Sequence, residues 1–259
     1  MKKIQRVGFI GSGNMATHLA LALNEKDIDV VFIASRSLRN AEVLAQKLGA
    51  AATNDLSIVC NFEVDLIIIA VNDQQIENVA SQIKELVMPI VHTSGATPKS
   101  ILSSHAAEFG VFYPLQTMTK FEAVDFSTLP ICIDSNTPSF LHALENLAKL
   151  LTNKIYSVSD EQREWLHLSA VLLNNNINHL LARVNDLLAD KKLPAEILQP
   201  LLKETIRKAA LQHPKEIQTG PAIRNDENTK KRHLKLLEEW NDESLTNLYK
   251  AFWKSIQSY

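Results

Sequence analysis

The chain has 259 residues, of which 46% are apolar and 22% charged, and its formal net charge is −2. It reads as an ordinary soluble protein with ample material for a core, and no basic excess points to nucleic acid. Cys60 and Cys132 lie far apart and match no metal or redox spacing, so no metal site is expected and a cytoplasmic location is.

Arg6–Ile10 reads as a first strand, beginning too early to leave room for a signal peptide. Residues 14–24 read as the helix that follows it. Between them runs Gly11-Ser12-Gly13-Asn14-Met15-Ala16, a G-x-G-x-x-A turn. Gly11 suits a tight strand-to-helix turn, Gly13 lets a pyrophosphate approach the backbone, and Ala16 lets the helix pack on the strand. The helix N-terminus then offers free N–H groups and partial positive charge to phosphates. With a strand before it and a helix after it, the turn predicts a dinucleotide site that includes Gly11, Ser12, Gly13, Asn14 and Met15.

Asp29–Ala34 reads as a second strand, ending in Ser35-Arg36-Ser37. An NAD site usually places a carboxylate here for the ribose hydroxyls. Ser35 and Arg36 would instead bind a 2′-phosphate, so NADP is the expected cofactor. The plain alternative is a solvated Arg36 at the start of a helix over residues 38–48. A fully apolar strand spans residues 66–71, a helix 74–85 and a strand 89–92. Ligands of a doubly wound sheet lie outside the carboxyl ends of its strands. Ala70, Val71 and Asn72 should therefore border the cofactor, with Thr93 and Ser94 lining its nicotinamide end. Val111-Phe112 and residues 131–133 read as two more strands. After the first of these, Tyr113-Pro114-Leu115-Gln116-Thr117 presents a phenol, an amide and a hydroxyl, so Tyr113 and Gln116 are substrate candidates. The alternation predicts an α/β fold: a Rossmann-like, doubly wound parallel sheet over residues 1–151.

Residues 152–259 turn helical. Residues 160–190 read as one long helix with apolar positions on several faces, to be buried on several sides, with a homodimer as one means. Its stretch 165–182 carries four asparagines and two histidines, so no membrane span is expected. In an unbroken α-helix Arg163, His167, Asn174 and Asn178 fall within about 60° of one another, as a polar stripe. The stripe could wall a substrate pocket or consist of buried amides bonded to other helices. Further helices are expected near 195–210, 228–240 and 244–256. The loop 219–226 carries Gly220, Pro221, Arg224 and Asp226; Arg224 could hold an acidic substrate group or pair with Asp226.

The opening Val7–Ala16 resembles that of pyrroline-carboxylate reductases, a likeness that fades after residue 75. Their Ala-Val-Lys-Pro strand end is Ala70-Val71-Asn72-Asp73 here. Nearly the whole chain resembles a bacterial family that joins a Rossmann-like domain to a helical domain of unknown function. The matching residues are His92-Thr93-Ser94-Gly95, Tyr113–Thr117, Arg163 with His167 and Asn174, and Thr219-Gly220-Pro221 with Arg224 and Asp226. The resemblance implies an NADP oxidoreductase, a C-terminal domain like that of 6-phosphogluconate dehydrogenase, and a dimer. The Lys-x-x-x-Asn pair of the related hydroxyacid dehydrogenases is absent, and His167 is its nearest substitute.

The combined expectation is hydride transfer between NADP(H) and a small polar carbonyl or imine. His167 would donate the proton, assisted by Asn174. A non-catalytic NADP-binding sensor or scaffold is the alternative from another class. It would have less need of the polar stripe. A weaker third reading is a reductase of another redox cofactor, such as a deazaflavin.

Overall fold

The computed structural model describes residues 3–83, 88–119 and 122–258. Its strands are β1 (Arg6–Ile10), β2 (Asp29–Ala34), β3 (Ala51–Thr53), β4 (Leu66–Ile69), β5 (Ile90–His92), β6 (Phe109–Pro114), β7 (Ile131–Ser135) and β8 (Ile155–Ser157). They form one eight-stranded sheet of order β3-β2-β1-β4-β5-β6-β7-β8. The helices around it are α1 (Asn14–Asn24), α2 (Leu38–Leu48), α3 (Ile76–Gln82), α4 (Pro138–Lys149) and α5 (Asp160–Ala170).

The sheet is buried on both faces, and strand β4 shows why its sequence is apolar throughout. Leu66 and Ile68 belong to one core cluster with Phe9, Leu19, Leu23, Phe112 and Phe140. Ile67 and Ile69 belong to the other, with Ile10, Phe32, Ile76 and Ala80. Successive side chains point to opposite faces, so a central strand needs no polar alternation. Each such buried side chain contributes about 1.5–3 kcal/mol relative to exposure.

The fold is the expected Rossmann-like one, with three local differences. Strand β7 pairs antiparallel with β6, so the sheet is mostly, not wholly, parallel. Strands β3 and β8 have three residues each, too few for a period to register. Before α3 the chain makes a 3₁₀ turn, Asp73–Gln75; residues 84–85 of the expected helix lie outside the described residues.

The expected helix over 160–190 is not one α-helix. A π-helical stretch, Val171–Asn176, separates α5 from α6 (Ile177–Asp190). Three consecutive asparagines, poor helix formers, fill its second half. A π turn bonds i to i+5, equivalent to one inserted residue, or about 100° of phase. The single stripe from Arg163 to Asn178 assumed unbroken α periodicity, and that assumption does not hold. Nor is the helix buried on several sides within the chain: neither the π stretch nor α6 has a buried residue.

The chain divides into two compact units, residues 1–174 and 175–259. The expected boundary at 151/152 was placed where the composition changes; β8 and α5 belong to the first unit. The second unit holds α6, α7 (Gln199–Leu211), α8 (Glu227–Glu239) and α9 (Glu243–Gln257). Asp226 and Asp242 cap α8 and α9 by accepting from the Thr229 and Leu245 amides, each at 2.9 Å. Arg183 of α6 pairs with Asp242. Among the described residues no helix is long and apolar enough to cross a membrane.

Candidate functional site

The glycine turn opens a cavity of about 790 Å³ at the carboxyl ends of β1, β2 and β4. Gly11 has φ +125°, and a Cβ there would lie 2.1 Å from the Ala70 carbonyl oxygen. Only glycine allows this crossing of the β1 and β4 ends. Gly13 faces open space. Ser12 and Ser35 share a hydrogen bond of 2.8 Å between their hydroxyls, tying the turn to the end of β2. Asn14 donates to the Met118 carbonyl at 2.7 Å, and His18 Nε2 to that of Thr119 at 2.7 Å. Both bonds anchor α1 to the loop after β6.

Gly11–Met15, Ser35–Ser37, Ala70–Asn72 and Thr93 all line this cavity, so the structure brings most of the expected cofactor residues together. The described lining residues carry no carboxylate, and Arg36 is their one cation. Arg36 is exposed and makes no ion pair among the described residues. A cavity with open glycine backbone, a helix N-terminus and an uncompensated guanidinium fits an anionic dinucleotide with an extra phosphate. Ser37 and Asn40 join Arg36 in the wall; their short polar side chains follow the expected contact too closely to stand out in the sequence.

Ser94 differs from the other expected contacts. Its hydroxyl accepts from the Ala96 and Thr97 amides at 3.2 and 2.9 Å and donates to Thr97 Oγ1 at 2.9 Å. That bonding fixes the loop after β5 and leaves little capacity for a ligand. Strand and loop rest on His92, which is fully buried. Its Nδ1 accepts from the Ser94 amide at 3.1 Å, so the neutral ring carries its proton on Nε2. Burial, reinforced by the Arg163 cation, pushes its pKa down to about 4.

Helix α5 docks on the same loop through charge. Arg163 is only 1% exposed. Its Nη2 donates to the Thr97 carbonyl and to Asp160 Oδ1, the latter at 2.8 Å. Asp160 also accepts from the Lys99 amide at 3.0 Å, and Lys99 Nζ reaches Asp134 at 2.6 Å. Burial alone would raise the Asp160 carboxyl; the Lys99 amide, Arg163 and the Lys99 ammonium outweigh it and hold it below the ordinary value. Sequence reading singled out Arg163 but not this network, whose members lie 61 and 35 residues apart in pairs.

One turn along α5, His167 reaches Gly95. A Cβ at Gly95 would lie 2.6 Å from His167 Nδ1, 2.8 Å from Tyr113 Cζ and 2.9 Å from Tyr113 Oη. The two rings meet edge to face, with centroids 6.5 Å apart. His167 Nδ1 is sealed from solvent and has no hydrogen-bond partner. Burial, with smaller contributions from Cys132 and Asp73, pushes the Tyr113 phenol up to about 12. The glycine is required by this approach, a signal invisible without the partners. Gln116 is exposed and accepts from the Thr117 amide at 2.9 Å. Asn174 is exposed within the π stretch. Arg224 belongs to the second unit, on an exposed position of the loop before α8, where the Asp226 carboxylate is engaged as a helix cap. Among the described residues no group of three or more His, Cys, Asp or Glu side chains could hold a metal ion.

Residues 6–91 match the family described as NADP oxidoreductase, coenzyme F420-dependent, and residues 129–256 match a domain of unknown function, DUF2520. A Bacteroides fragilis protein assigned as an NADP oxidoreductase is 35% identical, with 99% of each chain covered and a TM-score of 0.87. The chain belongs to this NADP oxidoreductase family. A 1-pyrroline-5-carboxylate reductase from Streptococcus pyogenes shares the fold at 14% identity, with 98% of each chain covered and a TM-score of 0.65. So does a reductive aminase from Aspergillus terreus, solved with NADPH and ethyl-5-oxohexanoate, at 14% identity, 81% and 74% coverage and a TM-score of 0.64. No curated protein matches the chain.

Buried, neutral His92 gives the fold a pH dependence. The unfolded ring takes a proton near its ordinary value of 6.5, whereas the folded ring does so only near 4. Between those values the unfolded state holds the extra proton, so stability falls as pH is lowered, by about 3 kcal/mol across the window. Urea unfolding at the two ends should show this loss, and His92→Asn, which keeps an acceptor for the Ser94 amide, should remove most of it. An equal loss in the variant would assign the pH dependence to other groups.

Proposed function

We propose that the protein is an NADP-dependent reductase of a small polar carbonyl or imine, acting as a cytoplasmic homodimer. The observation that carries the reading is the meeting of Tyr113 and His167 on Gly95, two residues beyond Thr93 in the cavity wall. A protein that only sensed NADP would have no need of a proton-bearing pair there.

In this reading the Gly11–Met15 turn holds the pyrophosphate, and Ser35 and Arg36 hold the 2′-phosphate. Ala70, Val71 and Asn72 flank the cofactor on one side and Thr93 on the other, with Ser94 shaping the loop. Bound NADPH supplies a hydride. His167 is the source of the proton. Asn174 assists, and Tyr113 and Gln116 meet the substrate. Arg224 is the candidate for an acidic substrate group.

Three measurements test these assignments. NADPH should bind at least about tenfold more tightly than NADH, or roughly 1.4 kcal/mol, and Arg36→Asp should reverse the preference in fluorescence titrations. Equal affinities in the wild type would remove Arg36 from the cofactor site. Small ketones, keto acids and cyclic imines, offered as a panel with NADPH, should include a compound that is reduced. His167→Ala should then lower turnover by about a hundredfold while leaving NADPH affinity unchanged. NADPH binding without oxidation by any member would favour the sensor alternative.

The dimer proposal rests on apolar side chains that one chain leaves exposed: Trp165 at 66%, Leu173 at 71%, Leu201 at 64%, Ile206 at 62% and Leu211 at 70%. Large apolar groups left exposed on a helix mark a surface that association would bury. Light scattering at micromolar concentration should give twice the chain mass, and Leu173→Glu should reduce it. A monomeric wild type would contradict the proposal.

A further inference from the structure

We propose that Tyr113 is the residue that hands the proton to the substrate, and that His167 stands behind it and replaces that proton. The inference rests on the reductase reading above.

The two tips differ in access. His167 Nδ1 is sealed, so no substrate atom reaches it. Tyr113 is half-buried, and Oη is not among the sealed atoms. Both tips lie within 3 Å of the point where a Gly95 Cβ would stand. The two tips thus converge on one point beside Gly95, where the Tyr113 hydroxyl is the accessible one. The backbone of Tyr113 pairs with Cys132 in the sheet, but its hydroxyl makes no hydrogen bond to another described residue and is left for a ligand. Phenylalanine would fill the same volume in β6, so packing alone does not call for the hydroxyl.

The surrounding charge is consistent with a donor. Burial, Cys132 and Asp73 favour the neutral phenol, and the Arg163 cation opposes them. Tyr113 is thus protonated at any working pH. The anion formed when hydride adds to a carbonyl or imine carbon is far more basic than a phenolate, so it still takes the proton. The Oη–H bond breaks as the bond from that proton to the substrate oxygen or nitrogen forms. The phenolate, a stronger acceptor than the resting phenol, then draws in the Nδ1 proton of His167, to which it is not hydrogen-bonded at rest, and the ring regains one from water at Nε2. The substrate gains one hydride and one proton, the dihydronicotinamide is oxidised, and both side chains end protonated as they began apart from the His167 tautomer, which exchanges with water.

The test uses the NADP-bound protein with ¹⁵N-labelled histidine. Of the 8 histidines, His167 should shift in Tyr113→Phe, in both ring-nitrogen resonances and in its titration, while the others stay in place. Unchanged His167 resonances would overturn the pairing. On a substrate found by the panel, Tyr113→Phe should lower kcat by about a hundredfold and leave the KM for NADPH unchanged. Turnover that survives Tyr113→Phe overturns the donor role alone. Coupled resonances without turnover of any carbonyl or imine overturn the reductase reading, and the donor role falls with it.

Discussion

The close approach of α5 to the loop after β5 is the contact on which the site depends. At Gly95 there is no room for a side chain, because His167 and Tyr113 occupy the space where one would begin. The loop is held from both sides. Ser94 folds it onto itself, and Arg163 and Asp160 grip it at Thr97 and Lys99. Arg163 is a buried cation whose Nε and Nη1 have no partner. Burying it is costly, and removing one partner of such a pair typically costs about 3–5 kcal/mol. Such a contact makes more sense as a means of fixing geometry than as a source of stability.

The same loop joins two kinds of chemistry. Upstream lies a cavity lined by backbone, hydroxyls, amides and one guanidinium, suited to an anion. Downstream lies a phenol held protonated beside an imidazole. Thr93 belongs to the first and Gly95 to the second, so a single residue, Ser94, separates the cofactor wall from the proton-bearing pair. The doubly wound sheet makes this possible by bringing the ends of β1, β4 and β5 side by side.

The nucleotide half was legible in the sequence because its signals are local. A buried strand, a glycine turn and an apolar helix follow one another within 24 residues, and Arg36 sits at a fixed distance beyond them. The short strands β3 and β8 and the antiparallel β7 were not legible, since three residues carry no period and strand direction is a tertiary property. The stripe on the long helix was half legible. Arg163 and His167 both serve the loop after β5, as α-helical spacing within α5 allows. The extension to Asn174 and Asn178 crossed a π stretch that periodicity alone does not reveal. Tyr113 was visible as a polar residue after a strand, but its partner lies 54 positions on in the chain, at His167.

Gly95→Ala tests the central claim most directly. The added methyl group must displace His167, Tyr113 or both, and Gly95 is not itself a lining residue of the cavity. The variant should fold, bind NADPH as the wild type does, and lose turnover by about a hundredfold. A folded Gly95→Ala protein with wild-type turnover would show that the meeting of these two rings is not what the chemistry uses.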